Sequence, residues 1–256
     1  MQAKATKRYS HGLTATAAFT WQKELVPGAE AETGAAVPVN DVYNIRNQKY
    51  ISSFSQPLVM VTGFNYTFPA LGSNKWMKTA IRDWTAGGIL RYSSGLPIQV
   101  PTANNALNSL LFRNTAAATF ANRVAGQPLF LQDLNCHCFD PNTSFVLNPK
   151  AWTDPAAGQF GVSAPYYNDY RSVRRPDESL SLGRIFRIRE SMSFSIRAEF
   201  FNPFNRTYLN NPDSSNAAST QKVSANGQTV SGFGRINTGS TFSSPRNGQL
   251  VARFQW

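Results

Sequence analysis

The sequence predicts an all-β fold of antiparallel, up-and-down strands, and three observations predict it. Apolar residues keep to one parity through six segments, and the connections between those segments alternate long and short. Several of the segments also reach about ten residues or more, the length a tilted strand needs to cross a bilayer. Strand side chains point alternately to two faces, so a single apolar parity means one apolar face and one polar face. Composition agrees with this. Hydrophobic residues make up 41% but charged residues only 15%, where a soluble domain carries about a quarter. Ser, Thr, Asn, Gln and Gly fill the polar positions instead.

Taken in order, the first segment runs from Gly12 to Lys23, with Leu13, Ala15, Ala17, Phe19 and Trp21 on one face and Thr14, Thr16, Ala18 and Thr20 on the other. The second, Ser53 to Phe68, sets Leu58, Met60, Phe64, Tyr66 and Phe68 against Gly63, Asn65 and Thr67, with Val59 and Val61 breaking the polar side. The third, Asp83 to Ser94, sets Trp84, Ala86, Gly88, Leu90 and Tyr92 against Thr85, Gly87, Arg91 and Ser93. The fourth, Glu178 to Ile188, sets Leu180, Leu182 and Phe186 against Ser179, Ser181 and Gly183, and Arg184 is a misfit on its apolar face. The fifth, Ser191 to Phe201, sets Met192, Phe194, Ile196, Ala198 and Phe200 against Ser193, Ser195, Arg197 and Glu199. The sixth closes the chain, with Leu250, Ala252, Phe254 and Trp256 opposed to Gln249, Arg253 and Gln255.

A soluble sandwich also uses strands with one apolar face. Strand length and loop asymmetry argue for a membrane instead. Connections are long at Glu24 to Ser52, Gly95 to Asp177 and Asn202 to Pro245, and short at Pro69 to Arg82 and around Arg189 and Glu190. Transmembrane barrels have long extracellular loops and short periplasmic turns. With the short connections periplasmic, Tyr66, Phe68, Trp84, Phe186, Phe194, Phe254 and Trp256 collect at the periplasmic rim, and Trp21, Tyr92 and Phe200 at the opposite one. Aromatic rings favour both membrane interfaces, so loop lengths alone recover two girdles. The expected fold class is therefore an antiparallel up-and-down transmembrane β-sheet that does not close on itself. Its lipid face carries Leu13, Phe19, Leu58, Leu90, Phe194, Ile196, Leu250 and Phe254.

The net charge of +11 does not indicate nucleic acid, because Lys and Arg are scattered rather than gathered on one element. The densest groups are Lys4, Lys7 and Arg8, and Arg171, Arg174 and Arg175. No apolar run approaches the roughly 18 residues of a membrane helix. Met1 to Tyr9 is polar and basic and lacks the apolar core of a secretory signal, which an exported protein needs. The expectation is that Met1 is not the native start. The stretch from Gly95 to Asp177 holds many of the prolines and no sustained period, and it reads as a functional or mobile loop.

Several stretches resemble one family in residue and in order. They are Tyr9 to Lys23; Asp83-Trp84 leading through Gly87-Gly88 to Ser94-Gly95-Leu96-Pro97; Arg197-Ala198-Glu199-Phe200-Phe201-Asn202-Pro203-Phe204-Asn205; Phe233-Gly234-Arg235-Ile236; and Pro245-Arg246 before a last strand ending on an aromatic. The Arg-Ala-Glu-Phe-Phe-Asn-Pro-Phe-Asn run is the most specific. Together they resemble the C-terminal barrel portion of TonB-dependent receptors of the Oar-like type. The resemblance implies that residues 1–256 are one partial outer-membrane β-barrel domain, the C-terminal segment of a barrel of about twenty-two strands. It also implies a plug and an energy-coupling segment outside this stretch. The partners it implies are outer-membrane lipid, the barrel assembly machinery, a TonB-type energy-coupling complex and a small-molecule or oligosaccharide substrate. The implied location is the bacterial outer membrane.

Three groups of residues are candidates for function. Leu250, Ala252, Phe254 and Trp256 resemble the terminal aromatic signal read by barrel assembly machinery, and also suit a plain interface anchor. Arg197, Glu199 and Arg253 face the lumen, where neutralising one another is a better account than contact with substrate or plug. Cys136, His137 and Cys138 are weak metal candidates: structural zinc needs a fourth ligand and wider spacing, and an oxidising exterior favours a disulfide. No Ser, His and acid set and no phosphate-binding glycine loop is present, so the expected chain is not an enzyme and has no cofactor. The leading function is import of a scarce nutrient, an oligosaccharide or a metal chelate. A passive porin or structural barrel, and a secreted glycan-binding β-sandwich, are the alternatives.

Overall fold

The computed structural model describes residues 1–27, 40–41, 43–44, 49–69, 81–105, 119–136, 138–189, 191–239 and 244–256. Its centre is a seven-stranded antiparallel sheet whose strands lie side by side in chain order. They are β1 (Gln2–Ser10), β2 (Leu13–Trp21), β3 (Leu58–Thr67), β4 (Trp84–Ser93), β5 (Arg175–Arg187), β6 (Ser193–Phe201) and β7 (Asn247–Gln255). Six correspond to the segments that alternate in the sequence.

The seventh, β1, corrects the expectation of six. Up to the register shift after Lys7, the parity that faces Phe19, Ala17 and Ala15 holds Ala3, Ala5 and Lys7, and Lys4 on the other parity pairs with Ala18. Two alanines among basic residues give too weak a contrast to read as a strand. Register comes from β2. The hairpin turn is His11 and Gly12, both at positive φ, which matches the twist of the flanking strands. A Cβ on Gly12 would lie 2.3 Å from the Thr67 carbonyl oxygen, and Thr67 N–H donates to the Gly12 carbonyl at 2.7 Å, so only glycine fits there.

In-register partners share a face. One row runs Leu13, Tyr66, Ala86, Leu182, Ala198, Leu250, and a neighbouring row runs Thr14, Asn65, Gly87, Ser181, Glu199, Gln249. The lipid-face residues expected from sequence all fall on the apolar parity of this register. No second sheet covers them among the described residues: Leu58 is 49% exposed and Leu250 73%. A sandwich would have buried them. Arg184 lies directly opposite Trp84, and its guanidinium sits over the Trp84 and Phe186 rings at 5.7 and 4.8 Å. The sequence misfit is thus held by ring faces that attract a cation.

Buried apolar residues lie elsewhere. The segment between β4 and β5, with that between β6 and β7, builds a cap around Phe120, Val146, Leu147, Trp152, Tyr170, Phe233 and Ile236. Short strand pairs brace it, among them Pro97–Gln99 with Tyr166–Arg171. Val146 N–H donates to the Gly234 carbonyl at 2.9 Å, and Thr229 N–H to the Asn142 carbonyl at 2.7 Å, so the two segments interlock. Asn40, from the segment between β2 and β3, is buried; it donates to the Ser163 carbonyl at 3.0 Å and accepts from Phe120 N–H at 3.0 Å. The Gly95 to Asp177 stretch, which reads from the sequence as a functional or mobile loop, is packed and hydrogen-bonded over its described residues. Irregular backbone leaves no periodic signal, yet a sheet whose apolar face points outward offers no core, so these apolar residues pack on one another.

Candidate functional site

The candidates from the last two strands occupy opposite faces. Arg197 Nε pairs with Glu199 Oε1 at 3.0 Å on its own strand, and its other end donates to Ser181 Oγ at 3.0 Å. Glu199 also accepts from Gln249 on β7. Arg253 lies opposite Ser195 on the same polar face and makes no ion pair among the described residues. Leu250, Ala252 and Phe254 share the apolar parity, and the Trp256 ring stacks on Phe254 at 6.1 Å. Phe186 and Phe194 stack at 6.1 Å, and Tyr66 meets Phe68 edge-on at 5.1 Å. In register, these aromatic residues gather at the end of the sheet that carries the short turns.

Cys136 and Cys138 are joined in a disulfide, with Cα atoms 5.2 Å apart. Oxidised, they offer no thiolate to a metal. His137 lies outside the described residues.

A cleft of about 800 Å³ opens where the cap meets the other end of the sheet. Its floor is the apolar parity of four neighbouring strands: Phe19 pairs with Met60, Met60 with Tyr92 and Tyr92 with Pro176. Its walls come from the cap and carry Asp169, Arg171, Arg174 and Arg206. Two ion pairs frame it. Arg123 grips Asp169 through two contacts of 2.7 and 3.2 Å. Arg206 Nε donates to both oxygens of Glu178 at 2.9 Å, and the Tyr92 hydroxyl adds a third contact at 3.1 Å.

Glu178 is 1% exposed on the strand face it shares with Leu180, Leu182 and Phe186, and the turn after β6 is what satisfies it. Asn202 and Asn205 adopt positive φ of 49° and 50°, a region asparagine tolerates better than most residues. Asn202 N–H donates to the Glu178 carbonyl at 3.0 Å, while its side-chain oxygen accepts from Arg206 N–H at 2.7 Å. The Phe-Phe-Asn-Pro-Phe-Asn run is thus the turn that delivers Arg206 to Glu178. Sequence reading quoted the run but missed the pair, since a lone glutamate at a strand start carries no sign of burial.

Arg171 is held differently. It donates to the carbonyls of Ser55 at 2.6 Å, Gly95 at 3.1 Å and Asn168 at 2.9 Å, and to the Asn168 side-chain oxygen at 2.8 Å. All four acceptors are neutral. Burial alone pulls its guanidinium below the usual arginine value. Among the described residues Arg174 hydrogen-bonds only through its backbone N–H, to the Asn135 side-chain oxygen at 2.9 Å. The cluster of Arg171, Arg174 and Arg175 was visible in the sequence, but not its place at a cleft.

Long strands with one uncovered apolar face, one polar face, aromatic residues gathered at the ends and asymmetric connections define an integral membrane β-sheet protein of the barrel type. Comparison with known families agrees. The chain belongs to the family described as the outer membrane beta barrel domain, whose sequence model matches residues 1–249. It is accordingly a bacterial outer-membrane domain. No curated protein and no solved structure gives a match.

Proposed function

We propose that the sheet is a sector of the barrel wall of a TonB-dependent receptor that imports a scarce nutrient, an oligosaccharide or a metal chelate, without catalysing a reaction. The observation that carries the reading is the cap: two long connections fold around a shared core at one end of the sheet, and Asn40 of a third is hydrogen-bonded into it. A passive pore gains nothing from so large an ordered surface at its mouth, whereas a receptor needs one to select its ligand. The sheet's open edges support a larger barrel. Neither β1 nor β7 pairs along its outer side among the described residues, and unpaired backbone groups in hydrocarbon cost several kcal/mol each. The reading therefore expects further strands against both edges.

In this reading the polar face lines the lumen, the long-loop end faces outward, and energy arrives through a plug and an inner-membrane coupling complex. Purified full-length protein in liposomes tests it by swelling in small sugars. A plugged receptor leaves the vesicles nearly impermeable, and cellular uptake of its nutrient stops when the coupling complex is deleted. Rapid swelling with arabinose, or uptake indifferent to that deletion, sinks the proposal in favour of a porin.

A further inference from the structure

The charges around the cleft do not cancel. Asp169 is taken by Arg123 and Glu178 by Arg206, which leaves Arg171 and Arg174 facing the opening with no carboxylate in contact among the described residues. Asp133, which lines an adjoining smaller cleft with Arg171, instead accepts from the backbone and side-chain N–H groups of Asn135. Arg171 is fixed in place by its four neutral acceptors, and one N–H remains open. Arg174 is exposed and lines the same opening.

The position of these two cations matters as much as their charge. They overhang Phe19, Met60 and Tyr92, on the apolar parity that faces lipid, rather than the polar parity that faces the lumen. Trp21 and Leu58, beside the opening, are 56% and 49% exposed. A ligand for this place must present an anion and acyl chains together, at the level where the sheet leaves the outer leaflet. A soluble nutrient entering the lumen meets the other face.

We infer that the cleft binds the phosphate-bearing headgroup of an outer-leaflet glycolipid, with Arg171 and Arg174 on the phosphate and the strand side chains along the first acyl carbons. Guanidinium groups match phosphate oxygens in a planar fork and stay charged at any physiological pH. The inference rests on the membrane placement of the sheet and not on the transport proposal, so a failed swelling or uptake test leaves it standing.

Native mass spectrometry of the folded full-length protein, titrated with lipid A bearing both phosphates, tests it. Dephosphorylated lipid A and inorganic phosphate serve as the comparison probes. Loss of one charge-assisted contact corresponds to about a tenfold loss of affinity. The parent is therefore expected to prefer the phosphorylated lipid by about tenfold or more, and Arg174→Gln to erase most of that preference. The Arg174 side chain makes no hydrogen bond or ion pair among the described residues, so this variant is expected to fold even where Arg171→Gln does not. Arg253→Gln, on the polar face, leaves binding unchanged. Equal affinity for the two lipids, or an Arg174→Gln variant that binds like the parent, overturns the inference. So does inorganic phosphate binding as tightly as lipid A, which makes the cleft a soluble-anion site.

Discussion

The ion pair between Arg206 and Glu178 is lopsided, because the carboxylate side chain is 1% exposed while the guanidinium side chain is 42% exposed. Removing the exposed partner should therefore cost more than removing the buried one. Arg206→Met leaves a buried carboxylate that keeps the Tyr92 hydroxyl but has lost its charged partner. Breaking a fully buried pair costs about 3–5 kcal/mol, and an exposed pair is worth about 0.2–1 kcal/mol. With water able to reach the vacated side, about 2–3 kcal/mol is expected, or roughly 30- to 150-fold in the opening equilibrium. Glu178→Gln keeps the hydrogen bonds that an amide oxygen can accept and frees an arginine that is already hydrated, so it should cost no more than about 1 kcal/mol.

The double variant should resemble Glu178→Gln alone rather than the sum of the two. Urea titration of the folded full-length protein, followed by protease cleavage of the cap, measures all four corners of the cycle. Additive effects, or an Arg206→Met variant as stable as the parent, would refute the claim that the turn after β6 exists to neutralise Glu178.

Three further outcomes are expected. Trp256→Asp should lower the heat-modifiable, folded fraction in outer-membrane preparations far more than Arg253→Ala, because the first ends the apolar parity of β7 and stacks on Phe254 while the second lies on the polar face; the reverse ranking would show the face assignment to be wrong. Replacing both Cys136 and Cys138 by Ser should leave assembly and uptake nearly unchanged, since a bridge between residues two apart in sequence constrains little chain; stoichiometric metal lost on that substitution would contradict it. Tyr170, buried with an Oη that has no hydrogen-bond partner among the described residues, has its phenol pushed up by burial, as do Tyr166 and Tyr50. The fold prefers the neutral phenol, so cap stability should be full below about pH 10 and fall as pH rises past it. Tyr170→Phe should move cap opening, read by protease susceptibility, to higher pH at no cost at neutral pH, and an unchanged profile would remove Tyr170 as a cause.

Six of the seven wall strands were legible because a membrane strand is a local object. Its parity is written in consecutive residues such as Phe194, Ile196 and Ala198, and crossing a bilayer demands a length that the chain displays directly. The same locality explains the recovery of the aromatic ends from loop lengths, and the outer-membrane class with them. What the sequence by itself did not determine was anything built by residues far apart. β1 takes its register from β2 rather than from its own alanines. Phe120, Trp152, Tyr170 and Phe233 carry no period, because their common burial comes from two connections folding against each other and not from any long strand. Glu178 and Arg206 are 28 residues apart, and only the left-handed turn at Asn202 and Asn205 brings one onto the other. The cleft is the furthest from the sequence: its charge remains because two acids are neutralised by Arg123 and Arg206, and its position on the lipid parity is a property of the whole sheet.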